Sequence, residues 1–275
     1  MVDLSRGKND DRITVVNKNI HEGIDRRKEA FKVEKYRHQL ASLGKLNVLK
    51  TKYSRNFPSI ENLNTGKFWD QRIDESVDHK PEDGMTRERV EIAYRFMPRR
   101  ARVVLDIGAG YGYVERFLNK DKDIKIYGND ISRNAIQNLK KRFKGSFKLE
   151  SLYKMKYKSG FFDAIFMLEV LEHVTPSKTL GLLADIKRML KKRGYLILSV
   201  PMNEGLEEMK DNPNGHVRMY TQDLIKAELE IAGFNILAFK TLYAFNTQYM
   251  FKKIISKILR NKWIPNNIIV LAQAK

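Results

Sequence analysis

Two acidic residues and three glycines are spaced as a site for a cationic, ribose-bearing ligand requires. Asp106 ends a short apolar run, and Gly108, Gly110 and Gly112 follow it closely. Glycines allow a tight turn and let the backbone approach a ligand. Asp130 ends the next apolar stretch, roughly twenty residues past the glycines, where an acid accepts hydrogen bonds from ribose hydroxyls in nucleotide-binding α/β folds. The pattern therefore predicts a nucleotide-like cofactor over this turn.

The kind of cofactor follows from what surrounds the glycines. The dinucleotide pattern G-x-G-x-x-G does not fit, because the third glycine comes one residue too early. Asp106 would lie unfavourably near a phosphate of a dinucleotide, whereas its charge suits a cationic amino-acid group. Two acids without a phosphate-binding lysine point to an adenosine that bears an amino acid, which is S-adenosylmethionine.

Four segments, in this order, resemble class I S-adenosylmethionine-dependent methyltransferases. Residues 104–112 resemble motif I of that family, and Asp130 falls on the acid of motif II. Residues 161–174 are similar to its fourth strand and the following turn, and residues 193–201 to its fifth strand. The match covers roughly residues 86–240, and the most similar subgroup is the small-molecule and lipid type, like the ubiquinone-pathway O-methyltransferases.

The resemblance implies which residues bind the cofactor. Asp106 and nearby backbone groups would hold the methionine part, and Asp130 would take the ribose hydroxyls. Ser151 stands where many relatives present an Asp to the adenine, so this contact departs from the family pattern. The full predicted set is Asp106, Gly108, Ala109, Gly110, Gly112, Asp130, Ile131, Ser151, Leu152, Met167 and Leu168.

The sequence motif E-x-x-E-H, formed by Glu169, Glu172 and His173, is a candidate for divalent-cation binding. Carboxylates and imidazole are suitable ligands for such ions. The motif is similar to the metal site of ubiquinone-pathway O-methyltransferases and of small-RNA 3′-end 2′-O-methyltransferases, where His216 would supply a further ligand. The alternative is a metal-free pocket that these side chains line. We favour the second hypothesis, so Mg²⁺ is possible but not expected.

Two histidines are candidates for a general base. They are His173 and His216, because the imidazole side chain can accept a proton in the pH range where a base that deprotonates an acceptor must work. The alternative is that either ring makes only a structural hydrogen bond. Because a His-x-Arg-x-Tyr segment often follows the fifth strand of similar lipid- and sugar-modifying enzymes, the resemblance also implies that Arg218 and Tyr220 contact an anionic acceptor group.

Alternating strand and helix patterns must position these residues. They predict a doubly wound, seven-stranded, mostly parallel α/β sheet, and the resemblance implies an antiparallel final strand. Ser132 is a predicted N-cap and Gly233 a predicted C-terminal helix stop. The predicted strands are Arg102–Ile107, one ending at Asp130, Phe147–Leu149, Phe162–Leu168, Tyr195–Val200, Phe234–Phe239 and Ile268–Ala272. The predicted helices are Thr86–Phe96, one from about Tyr113, one from Ser132 to near Phe143, and Thr221–Ala232.

Two further segments flank or interrupt this pattern. Residues 1–65 form a basic helical extension and linker, with helical periodicity around Glu22–Leu43, and residues 66–275 form the predicted methyltransferase domain. Within it, residues 248–263 are a basic amphipathic insertion whose apolar residues recur on one helical face. Such a helix lies in a membrane interface or packs its apolar stripe on the domain.

Composition limits the remaining possibilities. The 275 residues include no cysteine, which excludes disulfides, thiolate metal sites and cysteine nucleophiles. The net charge of +19 favours anionic partners. No apolar run is long enough to span a bilayer and no apolar signal region is visible. We therefore expect a cytoplasmic protein, with peripheral contact to an anionic membrane as a further possibility.

These observations predict methyl transfer to an oxygen of a small, lipid-linked or sugar acceptor that is anionic. One alternative is an RNA 2′-O-methyltransferase with a divalent metal at Glu169, Glu172 and His173, although no RNA-binding motif is recognisable. The other alternative is a non-catalytic binding module that retains the cofactor fold. The intact glycine turn and both acids argue against that module.

Overall fold

The computed structural model describes residues 44–73, 84–204, 212, 214–243, 249–258 and 264–275. The helix predicted around Glu22–Leu43 lies outside these residues, and the domain boundary near residue 65 stays a prediction. Contacts divide the chain into Met1–Asn47 and Val48–Lys275. The fold and the site described below lie within the second unit. Among the described residues, no helix is both long and apolar enough to cross a bilayer.

A seven-stranded sheet forms the centre of the second unit, with the strand order β3-β2-β1-β4-β5-β7-β6. Neighbours from β3 to β5 are parallel, whereas β7 is antiparallel to both β5 and β6. The predicted doubly wound sheet and its antiparallel last strand are confirmed. The strands are β1 (Val103–Ile107), β2 (Lys125–Asp130), β3 (Ser146–Leu149), β4 (Phe162–Leu168), β5 (Leu190–Pro201), β6 (Phe234–Leu242) and β7 (Asn267–Ala274).

Helices cover both faces of the sheet. One buried cluster packs α5 and α6 against one face, and a second packs α2 and α4 against the other. Because both faces are covered, the central strands are apolar nearly throughout. The helices are α1 (Gly66–Asp70), α2 (Gly84–Phe96), α3 (Glu115–Leu118), α4 (Arg133–Arg142), α5 (Pro176–Met189), α6 (Gln222–Ile231) and α7 (Tyr249–Ile258).

Local chemistry sets where several helices begin and end. The Ser132 hydroxyl accepts a hydrogen bond from the amide of Ala135 at 3.1 Å, which confirms the predicted N-cap of α4. Gly233, with φ of +86°, ends α6 as predicted. Helix α5 between β4 and β5 has no counterpart among the predicted helices, and Pro176 occupies its first turn, a position that proline favours.

The order of the strands produces a crevice. The chain moves outward from β1 to β2 and β3 on one side, and to β4 and β5 on the other. Loops after β1 and β4 therefore leave the sheet in opposite directions at its C-terminal edge, where ligands bind in such folds.

Candidate active site

A cleft of about 1190 Å³ opens at this C-terminal edge. The turn after β1 forms its floor, and the ends of β2 and β4 supply Asp130 and Leu168. The loop after β3 adds Ser151, and helix α2 forms another wall with Arg89. Residues that are far apart in sequence therefore line one continuous space.

The glycine turn exposes main-chain atoms to the cleft, because no side chain covers them. Gly108 has φ of +71°, and a Cβ at this position would lie 2.6 Å from Cγ2 of Val170, so no side chain fits. At Gly110, with φ of +51°, a Cβ would project into open space, with its nearest neighbour 3.9 Å away. This cradle fits a ligand that contacts the backbone directly.

Asp130 holds the same turn in place. Its Oδ2 accepts a hydrogen bond from the Gly110 amide at 2.9 Å, and its Oδ1 accepts one from the Ser132 amide at 2.8 Å. Burial raises the pKa of Asp130, and these amide donors act in the opposite direction. Next to it, Oδ1 of the cleft residue Asn129 is buried without a partner in the described part of the chain. An unmatched acceptor beside Asp130 suits a ligand with hydroxyl or amino donors.

Asp106 faces the cleft as one of two adjacent buried acids. Burial, followed by repulsion from Glu115 and Asp130, raises the pKa of Asp106 well above its usual value. Burial likewise raises the pKa of Glu115, to about 8. Sequence analysis missed Glu115, although it lies only nine positions after Asp106 on the first residue of α3. The raised pKa values favour the protonated carboxyls, and a cationic ligand bound beside the glycine turn would favour their ionised forms.

The predicted cofactor residues separate into two groups. The first group lines the cleft and comprises Asp106, Gly108, Ala109, Gly110, Asp130, Ile131, Ser151, Leu152 and Leu168. Gly112 and Met167 lie outside its lining. A Cβ at Gly112 would meet Phe143 and Leu139 within 2.8 Å, so this glycine permits close packing of the turn on α4. Met167 is fully buried in the sheet core.

A second polar group lies across the cleft, after β4. Ligand atoms of Glu172, His173 and His216 lie within 4.8 Å of one another. Both carboxylate oxygens of Glu172 are buried and accept no hydrogen bond from the described residues. The His216 segment is joined to this loop because the Val217 amide donates to the Glu172 carbonyl at 3.0 Å. Mixed nitrogen and oxygen donors at this spacing could hold a divalent transition-metal ion.

Glu169 is not part of this cluster. Its carboxylate accepts hydrogen bonds from Ser199 Oγ at 2.6 Å and from Asn267 Nδ2 at 2.9 Å, and it forms an ion pair with Arg89 at 3.2 Å. Glu169 has φ of +55°, which turns it away from the two residues that share its motif. The structure thus brings His216, and not Glu169, to Glu172 and His173. Sequence analysis missed Arg89 and Asn267.

The two histidines have different surroundings. His216 Nδ1 lies 2.9 Å from a carboxylate oxygen of Glu204, and its Nε2 lies 4.0 Å from Glu172. A carboxylate on Nδ1 fixes the ring with Nε2 as the acceptor nitrogen. Burial lowers the pKa of His173 to about 3, and the neighbouring His216 acts in the same direction. His173 is therefore neutral, and its ring packs edge-on against Trp69.

Helix α1 carries Trp69 into the cleft wall. The Thr65 hydroxyl caps the helix by accepting from the Phe68 amide at 3.2 Å. Asp70 accepts a hydrogen bond from Ser132 Oγ at 2.7 Å, which attaches α1 to the start of α4. Trp69 thereby lines the cleft beside the cluster.

Arg218 and Tyr220 lie in the core and not in the cleft. Arg218 pairs with Glu228 and donates to Thr179 Oγ1 at 2.6 Å, while the Tyr220 hydroxyl donates to Glu228 at 3.0 Å. These residues are fully buried against α5 and α6. They anchor the segment that carries His216, and the structure gives neither side chain a place at the acceptor, contrary to the expectation from the resemblance.

The charge of the cleft differs from that of the chain. Its described lining includes seven acidic or cationic side chains other than histidine, and acids predominate although the chain carries a net charge of +19. Six asparagines besides Asn129 add uncharged amide groups to the lining. The acids are Asp106, Asp130, Glu169, Glu172 and Glu204, the cations are Arg72 and Arg89, and the asparagines are Asn62, Asn64, Asn203, Asn214, Asn266 and Asn267.

Comparison with known proteins places this site in a family. Residues 73–238, more than half of the chain, match the methyltransferase domain family, and the chain therefore belongs to that family. No curated protein matches the sequence.

Solved structures show the same fold. The N-methyltransferase NodS from Bradyrhizobium japonicum in complex with S-adenosyl-L-homocysteine is 16% identical, with a TM-score of 0.56, covering 77% of this chain and 98% of that one. A SAM-dependent methyltransferase from Archaeoglobus fulgidus is 18% identical, with a TM-score of 0.55 and coverages of 69% and 93%. The [4+2]-cyclase SpnF is 17% identical, with a TM-score of 0.55 and coverages of 73% and 85%. The predicted class, an S-adenosylmethionine-dependent methyltransferase, is confirmed.

Proposed function

We propose that this enzyme transfers the methyl group of S-adenosylmethionine to a hydroxyl oxygen of a small or lipid-linked acceptor. One observation carries the proposal: the His216–Glu204 pair and the bare glycine turn line the same cleft. The resemblance to ubiquinone-pathway O-methyltransferases supports oxygen as the acceptor atom.

The chain supplies binding and proton removal. When bound, S-adenosylmethionine supplies an electrophilic methyl group, and its transfer to oxygen breaks the carbon–sulfur bond and leaves the electron pair on sulfur. Asp130, Asn129 and the backbone at Gly108 and Gly110 hold the cofactor. His216 Nε2 accepts the proton that the hydroxyl loses, and Glu204 holds the ring in the orientation that this needs.

The cleft lining supports an uncharged polar acceptor group. Only two cations, Arg72 and Arg89, are among the described lining residues, and Arg89 is already paired with Glu169, so the cleft offers little positive charge to an anionic group at the reacting end. Asparagine amides donate and accept hydrogen bonds, as recognition of several hydroxyls requires. We infer that a sugar or another polyhydroxylated group enters the cleft, and that any anionic part of the acceptor stays outside it.

The cluster supports a second candidate mechanism. The unpartnered carboxylate of Glu172 beside His173 and His216 fits a divalent cation. Such an ion would polarise the acceptor oxygen, and His216 would be its ligand instead of the base. RNA 2′-O-methylation stays an alternative under this mechanism.

The test is transfer of tritium from methyl-labelled S-adenosylmethionine to a lipid extract, a polar small-molecule extract and total RNA, each assayed separately. We expect label in the lipid or small-molecule fraction. His216→Asn should reduce transfer about 10²–10⁴-fold, because general-base catalysis contributes that much. Its affinity for S-adenosylhomocysteine, measured by calorimetry, should not change.

The matched control is Glu230→Gln, which removes an exposed acid of α6 and should leave transfer unchanged, whereas Glu204→Gln should reduce it. Full transfer by His216→Asn would exclude this base. Label confined to RNA would select the RNA alternative. Absence of both transfer and S-adenosylhomocysteine binding would select the non-catalytic module.

A further inference from the structure

Helix α7 exposes its apolar side to solvent. Phe251 is 62% exposed, Ile254 56% and Ile258 74%. The spacing of three and four residues places them on one helical face. Side chains of this kind are unfavourable in water, because removing apolar surface from water is stabilising. The stripe therefore forms an apolar surface without a partner in the described part of the chain.

The opposite side of α7 attaches the helix to the domain. Lys253 lies two residues from Phe251, on the far side of the helix, and its ammonium is 2.6 Å from a carboxylate oxygen of Glu88 in α2. This ion pair fixes the helix with its apolar stripe outward. Sequence analysis left two arrangements open for this segment. The structure does not pack Phe251, Ile254 and Ile258 on the domain, which was one of them.

We propose that Phe251, Ile254 and Ile258 insert into the interfacial region of an anionic lipid bilayer. Residues 248–263 contain five cationic side chains and no acid, and the whole chain carries +19. An amphipathic helix with this charge binds anionic lipids through both its apolar area and its cations.

Charge also distinguishes an anionic bilayer from other partners that could cover this apolar surface. A second copy of the chain would bring an equally basic helix to the same surface, and like charges oppose that association. RNA complements the positive charge but offers no apolar layer for three large hydrophobic side chains. An anionic bilayer offers both the charge and the apolar layer.

The position of α7 relates the membrane to the cleft. Glu88, which holds α7, lies on the same helix as the cleft residues Met85 and Arg89. The bilayer would thus lie beside the cleft, and, if the proposed function holds, a lipid-linked acceptor could reach it without leaving the membrane. Membrane contact itself does not depend on the identity of the acceptor.

The absence of cysteine permits a direct test. Ile258→Cys in the full chain carries an environment-sensitive fluorophore at one position, and Leu237→Cys on β6, at a residue that is 52% exposed, is the matched control. With phosphatidylcholine vesicles containing phosphatidylglycerol, we expect a blue shift and quenching by spin-labelled lipids at position 258 alone. Equal signals at the two positions, or none at 258, would refute insertion of α7.

A second measurement does not depend on labels. The triple variant Phe251→Ser/Ile254→Ser/Ile258→Ser should sediment with the same vesicles at least about tenfold less well than the unmodified chain, since it loses the inserted side chains. The triple variant Val48→Ser/Leu237→Ser/Phe239→Ser, which removes three other exposed apolar residues, should bind normally. The difference should persist in about 1 M salt, where charges are screened beyond about 3 Å.

Other outcomes would overturn the proposal. Unchanged sedimentation of the first variant, or failure of the unmodified chain to bind anionic vesicles, would exclude membrane contact through α7. A dimer that dissociates only in the first variant would identify a second copy as the occupant. Both variants should retain S-adenosylhomocysteine affinity, so loss of membrane binding is distinguishable from failure of the proposed enzymatic function.

Discussion

At the scale of single residues, the acid pair Asp106 and Glu115 makes stability depend on pH. The pKa of Glu115 is about 8 in the folded protein and 4.5 without the fold. Between these values the folded state retains a proton that the unfolded state has lost, so the contribution of Glu115 to stability is fully present below about pH 4.5 and is lost as pH rises toward 8. Burial and the charge of Asp130 raise the pKa of Glu115 and favour this proton, whereas the hydrogen bond with Asp106 and the cation of Arg142 oppose it.

We expect Glu115→Gln to flatten this dependence and to raise the free energy of unfolding near pH 8 by about 1–3 kcal/mol. The amide removes the titrating carboxyl and can donate a hydrogen bond to Asp106. Urea unfolding at several pH values between 5 and 8 measures the effect. The control is Asp185→Asn, at an exposed carboxyl. Parallel pH curves for Glu115→Gln and the unmodified chain would contradict the assignment.

The cluster of Glu172, His173 and His216 gives a second prediction at this scale. We expect methyl transfer to survive dialysis against a chelator, because His216 already has an acceptor nitrogen oriented by Glu204. The measurement is tritium transfer before dialysis, after it, and after addition of Mn²⁺. A loss that Mn²⁺ restores in the unmodified chain but not in Glu172→Gln would instead identify the metal-assisted mechanism.

At the scale of elements, a buried ion pair fixes the segment that carries His216. Arg218 joins this segment to Glu228 of α6 and Thr179 of α5. Arg218→Met should lower the free energy of unfolding by about 3–5 kcal/mol, because it leaves the Glu228 charge buried without its partner. Urea denaturation measures this loss.

An exposed ion pair provides the matched control for that variant. Arg188→Met breaks the surface pair with Asp185 and should cost about 1 kcal/mol or less. The double variant Arg218→Met/Glu228→Leu should recover part of the loss, since no uncompensated charge remains. Equal effects of Arg218→Met and Arg188→Met would show that the buried pair does not anchor the segment.

Sequence periodicity predicted the elements well where local chemistry decides them. The apolar runs of β1 and β4 and the Ser132 cap depend on neighbours within a few residues, and the structure has them as expected. Helix α5 was missed, although Pro176 and the apolar residues after it mark its start. Strand β5 begins at Leu190, whereas sequence analysis placed its start at Tyr195 and so found only its apolar C-terminal half.

The site was predictable only in part for a related reason. Asp106 and Asp130 follow strands directly, so the topology of the sheet brings them together. Glu204 meets His216 through the loop after β5, and Arg89 meets Glu169 across 80 positions of sequence. No local pattern records such encounters, because they depend on how distant elements pack. The position of Glu169 outside the cluster of Glu172, His173 and His216 likewise depends on its hydrogen bonds with Ser199 and Asn267.

At the scale of the whole molecule, charge is segregated. The chain is strongly basic, yet acids predominate among the described residues of its cleft. Net charge alone suggested an anionic acceptor, because composition does not say where charges lie. With the described lining in view, the cations are better placed to attract an anionic surface, while the cleft is suited to a cationic cofactor and an uncharged acceptor group.

The close approach of Gly108 to Val170 has a consequence for how the two halves of the cleft respond to ligands. Val170 fills the space that a side chain at residue 108 would need, so the cofactor turn and the loop that carries Glu172 and His173 are packed as one body. A dense contact of this kind transmits small displacements instead of absorbing them. Binding in the donor half should therefore change the affinity of the acceptor half, and the acceptor should change the affinity for S-adenosylhomocysteine by the same factor, which calorimetry with and without acceptor measures.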